Sequence, residues 1–406
     1  MPARSRLDAL ICAQEGLSSL TRETLEAAQL QKLNRLLMRE RQRAGFYGHL
    51  PSSLSSLSEL SALPFTTEED LARYAPGLML TSQSAVSRVL SDATSGTTGL
   101  PKRVFYTAQD LENTVSLYMA GLGELIFPGD RVCICFPFSG PNGLGELIAE
   151  AVSRLGAAPL KLGGALSYGE FSAVLDAEKP SCFVGMPVQL LGLLRACGPK
   201  SLRRALVSGD ACPQSVTRAS EAILGARLFP HYGSREMGMA GAITCPAHQG
   251  MHLRENHIIA EIVDENGRVL PAGERGELVV TTVGMEALPL IRYRTGDVTR
   301  IFPEPCPCGS VTARLDAVSR TGPAADMLQL DEALFSFPQV VDCRAEEDGE
   351  KLILFLLTAG EPDADRITRA AAALFPQKEI SLTFRPVLPS DRALYPGKRC
   401  ILRKTE

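Results

Sequence analysis

Tryptophan is absent from this chain, and so is any low-complexity tract. No apolar run reaches the length needed to cross a bilayer, so no membrane partner is expected. The charge imbalance is small, −4 over 406 residues, far from the basic surplus that would hold a nucleic acid. The opening segment, Met1-Pro-Ala-Arg-Ser-Arg-Leu-Asp8, runs into an amphipathic helix pattern and lacks the apolar stretch of a signal peptide. Eleven cysteines are an odd number, scattered through a long chain. They read as reduced thiols and a cytoplasmic location, not as a disulfide framework.

What is present is ordinary for a globular protein: 45% apolar and 22% charged residues. The length fits two domains, or a large one with a small companion. The informative stretch is Ser91–Lys102, Ser-Asp-Ala-Thr-Ser-Gly-Thr-Thr-Gly-Leu-Pro-Lys. Gly96 and Gly99 permit backbone shapes closed to other residues. Ser95, Thr97 and Thr98 add hydroxyls, and Lys102 adds a positive charge. Backbone amides, hydroxyls and one lysine suit a polyphosphate. The spacing is wrong for a Walker A loop, and Arg88–Ser91 and Arg103–Thr107 read as flanking strands. A helix follows, with Thr107 as N-cap and Asp110 three residues on.

Residues 5–45 carry helical spacing, Leu54–Leu63 reads as a loop with a short turn, and a helix opens at Thr66 or Thr67. From Asp130 to about Ala211, strands alternate with helices. Arg131–Phe136, Ala158–Leu162, Cys182–Gly185 and Arg204–Ser208 are the strands; Gly145–Leu155, Tyr168–Ala177 and Pro187–Ala196 are the helices. That alternation predicts an α/β fold with a mostly parallel sheet flanked by helices, and ligands outside the carboxyl ends of its strands. Past residue 320, strands at Phe337–Cys343, Lys351–Leu357 and Ile380–Phe384 surround a helix at Asp363–Phe375. They predict a small α+β C-terminal domain over 321–406, after a large N-terminal domain over 1–320.

Thr94–Lys102 resembles the phosphate loop of the acyl-adenylate-forming (AMP-binding) superfamily. Two further motifs follow in the family's order. Tyr232-Gly-Ser-Arg-Glu236 resembles its Tyr-Gly-Ser/Thr-x-Glu element, and Ile291-Arg-Tyr-Arg-Thr-Gly-Asp297 its ribose-binding turn. Phe46-Tyr47 and Leu63-Pro-Phe-Thr-Thr67 match the phenylacetate–CoA ligase-like branch. The resemblance implies that Thr94, Ser95, Gly96, Thr97, Thr98, Gly99 and Lys102 hold phosphates. Ser208, Gly209 and Asp210 would lie against adenine, with His231, Tyr232, Gly233 and Ser234 also at the nucleotide and Asp297 on the ribose. Glu236 would hold Mg²⁺, and Lys398, in Tyr395-Pro-Gly-Lys398, would be the catalytic lysine beside Glu236 and Thr97. ATP and Mg²⁺ are thus implied cofactors, with a small carboxylic acid as substrate and CoA as the default acceptor. A carrier-protein thiol or an amine is the alternative acceptor, and a nucleotide-binding homologue without catalysis the alternative function. The branch often forms homodimers.

The acid pocket is expected around Phe136–Leu144, Gly163-Gly164, Gly185-Met-Pro187 and Gly238–Ala240. Phe138, Met186 and Met239 would suit an apolar or aromatic acid. Near the C-terminal domain the chain departs from the family. Gly322-Pro-Ala-Ala-Asp326 has Pro323 and Ala325 where arginine and aspartate are expected, and Asp331-Glu332 replaces an Arg-Gly turn tied to thioester formation. In the family this domain swivels between half-reactions.

Four Cys/His groups from two short loops would suit a closed tetrahedral zinc site. Cys245, Cys306 and Cys308 are three of them. Local spacing favours His248 as the fourth; the family comparison favours His252, and His252 is preferred. Such a zinc would be structural.

Overall fold

The computed structural model describes residues 5–92, 102–395 and 397–403. The segment 93–101, with Thr94–Gly99, lies outside them. The chain forms two compact units: Met1–Glu124 with His231–Val318, and Leu125–Pro230 with Ser319–Glu406.

The first unit opens with α1 (Arg6–Glu15), whose N-cap Ser5 accepts the Asp8 amide, and α2 (Arg22–Arg43). A 3-10 turn, Leu57–Ala62, fills the Ser/Leu-rich stretch. Thr67 is the N-cap of α3 (Glu68–Leu78), in a capping box with Asp70. β1 (Val86–Asp92) and β2 (Lys102–Thr107) pair antiparallel, with Asp92 opposite Lys102. The ends of the phosphate-loop segment are therefore stapled together. α4 (Ala108–Leu122) starts directly at Thr107, in a complete capping box with Asp110.

The second unit begins with alternating elements: β3 (Arg131–Ile134), α5 (Leu144–Arg154), β4 (Ala158–Lys161), α6 (Tyr168–Glu178), β5 (Cys182–Gly185), α7 (Pro187–Cys197), β6 (Arg204–Val207), α8 (Gln214–Leu224) and β7 (Phe229–Tyr232). β4, β3, β5 and β6 pair side by side in parallel, and Phe229 and Pro230 continue the order beside β6. Every residue of β5 is buried, as a strand covered on both faces requires.

The chain returns to the first unit within β7. His231 and Tyr232 pair antiparallel with β8 (Ala242–Thr244), which pairs with β9 (Met251–Leu253). β10 (Ile259–Val263), β11 (Gly276–Thr281) and β12 (Tyr293–Thr299) form an antiparallel meander, and β13 (Arg314–Leu315) pairs with β9.

The second unit is completed by β14 (Ser319–Arg320), α9 (Pro323–Leu334), β15 (Val340–Asp348), β16 (Lys351–Thr358), α10 (Ala364–Leu374), β17 (Glu379–Pro386) and β18 (Leu402–Arg403). The last four strands run in the order β17-β16-β15-β18. β15 begins at Val340, three residues later than the sequence suggested. The Val340 amide donates to the Phe337 carbonyl at 3.1 Å, so a turn occupies the predicted strand start. Pro323, where the family expects arginine, opens α9, a position its fixed φ suits. Among the described residues, no helix is long and apolar enough to cross a membrane.

Candidate active site

Lys102 starts β2, and Glu236 lies on the 3-10 turn Arg235–Met237 that follows β7. The Lys102 ammonium Nζ is 2.6 Å from Glu236 Oε1 and 3.3 Å from Glu68 Oε1 at the start of α3. Burial works against both charges of the inner pair. It would pull the Lys102 ammonium down, but Glu236 and Glu68 outweigh it and hold it above its ordinary value. For Glu236, burial would push the carboxyl up, and Lys102 holds it below the usual range instead. The phosphate-loop lysine and the expected Mg²⁺ carboxylate thus meet.

Tyr232 ends β7, and its hydroxyl donates to Asp297 Oδ2 at 2.6 Å. Asp297 follows Gly296, whose φ of 70° is the left-handed conformation that glycine adopts at least cost. The turn is propped from behind. Arg292 is 2% exposed, sits over the Phe65 ring at 4.1 Å and pairs with Glu261 at 2.9 and 3.1 Å. The buried Tyr47 hydroxyl lies 2.8 Å from Thr66 Oγ1 and accepts the Ile291 amide at 3.1 Å, while Thr66 Oγ1 donates to the Ile291 carbonyl at 2.6 Å. The Phe46-Tyr47 and Leu63–Thr67 segments are therefore the footing of the Asp297 turn. This also explains why Thr66 is not the helix cap.

Gly233 approaches other backbone closely: a Cβ there would lie 2.9 Å from Ala240 Cα and Met239 O. Ser234 precedes the turn that carries Glu236. The His231 ring is buried and stacked on Tyr118, centroids 4.8 Å apart, and burial pushes its pKa down to about 4. Its ring is a core element of the first unit.

In the second unit, Ser208, Gly209 and Asp210 form the loop after β6, at the carboxyl end of that strand. Gly209 has φ 88°, and a Cβ there would meet the Phe136 ring at 3.0 Å and Met186 Cγ at 3.7 Å. Asp210 Oδ2 accepts the Arg399 amide at 2.8 Å, next to the exposed Lys398. Burial raises the Asp210 pKa, against the pull of these hydrogen bonds.

The cysteine–histidine cluster forms in the first unit. The ligand atoms of Cys245, His252, Cys306 and Cys308 all lie within 4.8 Å of one another. Cys245 Sγ is 3.6 Å from Cys306 Sγ, and Cys308 Sγ is 3.4 Å from His252 Nε2. His252 is the histidine in this group, and His248 is not. The reason is register: His252 lies on β9, opposite Arg314, and faces the same loop as the Cys-x-Cys pair. Its other nitrogen, Nδ1, lies 2.8 Å from Thr312 Oγ1, which is 3.0 Å from Ser310 Oγ; Ser310 donates to Asp8 at 2.5 Å. That relay fixes the ring with Nε2 toward the thiols. Burial drives the imidazole pKa down to about 4 and the Cys245 thiol up. Burial is costly for thiolates, and a bound divalent cation offsets that cost.

The sequence signals did not find Glu68 beside Lys102, the Arg292–Glu261 support or the Thr312–Ser310–Asp8 relay. These partners are remote in sequence, and no local spacing marks them.

The family model described as AMP-binding enzyme matches residues 92–286. The Thermus thermophilus phenylacetate-coenzyme A ligase is 31% identical over 359 residues, spanning 81% of this chain and 79% of that protein. The Escherichia coli K12 enzyme of the same name is 30% identical, spanning 78% and 77%. The chain belongs to the phenylacetate-coenzyme A ligase family. Its fold matches that of 2-hydroxyisobutyryl-CoA ligase in the postadenylation state, with a TM-score of 0.76 and 20% identity over 93% of this chain and 89% of the other.

Proposed function

We propose that the chain activates a small carboxylic acid with ATP and passes the acyl group to CoA. A carboxylate oxygen attacks the α-phosphorus; the new P–O bond forms as the bond to the bridging oxygen breaks, and pyrophosphate leaves. The CoA thiol then attacks the acyl carbon, loses its proton and expels AMP. The observation that carries this reading is the Lys102–Glu236 pair at the foot of the phosphate-loop segment, with family membership along most of the chain.

Each residue has a task. Thr94, Ser95, Gly96, Thr97, Thr98 and Gly99 wrap the phosphates, and Lys102 leaves Glu236 to meet them. Tyr232 and Asp297 take the adenosine, with Asp297 accepting from ribose hydroxyls. Lys398 stabilises charge developing at the α-phosphate. Glu236 is the oxygen ligand that Mg²⁺ needs besides phosphates and water, and the ion would neutralise phosphate charge. Phe136, Met186 and Gly209 form an apolar wall that suits an aryl or other apolar acid. The four cluster residues fit a structural Zn²⁺: four donors, no open position and a fixed histidine. The reaction requires no membrane, and we place it in the cytoplasm.

CoA is preferred over a carrier-protein thiol or an amine because the relatives carry that acceptor in their names. The test is product analysis with phenylacetate, Mg²⁺-ATP and CoA. Phenylacetyl-CoA formed together with AMP supports the assignment. Adenylate that accumulates and ignores CoA overturns the acceptor.

A further inference from the structure

Two carboxylates meet the Lys102 ammonium, and they are not alike. Glu236 is sealed in: its side chain is 7% exposed, and its Oε1 lies 2.6 Å from Nζ. Glu68 stands on the solvent side, 62% exposed, with its Oε1 at 3.3 Å. Two negative charges thus share one positive charge at the start of β2, where the phosphate-loop segment ends.

The helix that carries Glu68 does not need it. Thr67 and Asp70 cap α3 between them: the Thr67 hydroxyl accepts the Asp70 amide at 3.1 Å, and Asp70 accepts the Thr67 amide at 2.9 Å. Glu69, one residue on, complements the helix dipole as well as Glu68 does, and it pairs with Arg73 at 2.9 Å. Capping and dipole therefore leave the Glu68–Lys102 contact unexplained.

The two carboxylates also part with the ammonium on different terms. A buried Glu236 left without a cation is costly, and in the proposed reaction Mg²⁺ takes the place of Lys102 beside it. Glu68 is solvated, so water replaces the ammonium at small cost, and the carboxylate stays charged and within reach. It can release Lys102 to a polyphosphate and take it back without any other group moving.

We propose that Glu68 is a positioning residue that competes with the nucleotide phosphates for Lys102, holding the ammonium ready before ATP binds and reclaiming it as pyrophosphate leaves. The inference rests on the acyl-adenylate reading above.

The test is the affinity of the full chain for pyrophosphate and for Mg²⁺-ATP, measured by titration calorimetry without acid, in the unmodified protein and in Glu68→Gln. Glutamine keeps the shape and removes the charge. An exposed ion pair is weak, so we expect both ligands to bind about threefold tighter, ATP KM and the pyrophosphate inhibition constant to fall by the same factor, and kcat to change less than about twofold. Glu69→Gln removes the same charge from the same turn without touching Lys102, and all of these values should stay as they are. In Lys102→Met there is no ammonium to compete for, and adding Glu68→Gln should leave pyrophosphate affinity unchanged. Unchanged or weaker binding in Glu68→Gln overturns the proposal. So does an equal gain in Glu69→Gln, or a gain that persists in Lys102→Met, since either outcome reports bulk charge and not competition for the ammonium. No acid-dependent pyrophosphate release by the unmodified chain overturns the functional reading instead; the affinities, measured without acid, still decide the competition.

Discussion

Lys102 Nζ and Glu236 Oε1 stand 2.6 Å apart, with the carboxylate almost wholly buried. Each charge makes the burial of the other tolerable, and in the proposed reaction Lys102 meets the phosphates while Glu236 meets Mg²⁺. Removing Lys102 leaves Glu236 buried without its cation, which costs about 3–5 kcal/mol. Lys102→Met is expected to lower Tm by about 10 °C and acyl-adenylate formation by about 100-fold. Calorimetry and a pyrophosphate assay check both numbers.

The same pair sets a pH dependence. Glu236 is held below its ordinary pKa in the fold, so its contribution is present above the unfolded value and is lost as pH falls through the folded one. Lys102 is held above its ordinary pKa, so its contribution is present below the unfolded value and is lost as pH rises through the folded one. The Tm difference between the unmodified chain and Lys102→Met is therefore greatest between the carboxylate and lysine ranges. It narrows at both ends in a pH series of thermal melts.

Tyr232 and Asp297 share a short hydrogen bond, which fixes the carboxylate proposed to take the ribose. Tyr232→Phe keeps the ring and removes the donor. A hydrogen bond to a charged group is worth about 1.5–3 kcal/mol. The expected result is an ATP KM raised about tenfold with kcat changed less than about threefold. Asp297→Asn, which weakens the ribose acceptor itself, raises KM further.

Lys398 is exposed, while its neighbour Arg399 is buried and fixed. Lys398→Ala should therefore leave the fold intact. Initial-rate kinetics are expected to show adenylation kcat down about 100-fold with ATP KM little changed, the pattern of an interaction made mainly in the transition state.

The cysteine–histidine cluster predicts about one zinc per chain in metal analysis of purified protein. Thr312→Val breaks the relay to His252 Nδ1 and is expected to weaken metal retention about 10–100-fold. Cys306→Ser is expected to lower Tm while adenylation per folded molecule stays unchanged, because a metal held by these four residues would tie loops together and take no part in the chemistry. A chelator titration followed by melting separates the two effects.

Most elements were legible because their signals are local. Thr107 and Asp110 announce a helix start, Cys182–Gly185 reads as a covered strand, and the three motifs are contiguous strings. The family comparison favours His252 over His248 against the local spacing, and strand register, which spacing alone does not give, is the physical reason the choice holds. The anchoring roles of Asp331, Glu332 and Arg399 were illegible for a related reason. Their partners are separated by 68 residues for Asp331–Arg399 and 117 for Ser215–Glu332, and only the folded chain brings them together. Read in sequence, Asp331-Glu332 is a lost motif; in the structure the two residues are anchors.

The most direct test of the account is acyl-hydroxamate formation from phenylacetate and Mg²⁺-ATP with hydroxylamine and no CoA, pyrophosphate being counted in the same reaction. The account predicts equal yields of hydroxamate and pyrophosphate, both dependent on the acid and both falling about 100-fold in Lys398→Ala. Bound ATP with neither product, across aryl and fatty acids alike, would contradict it.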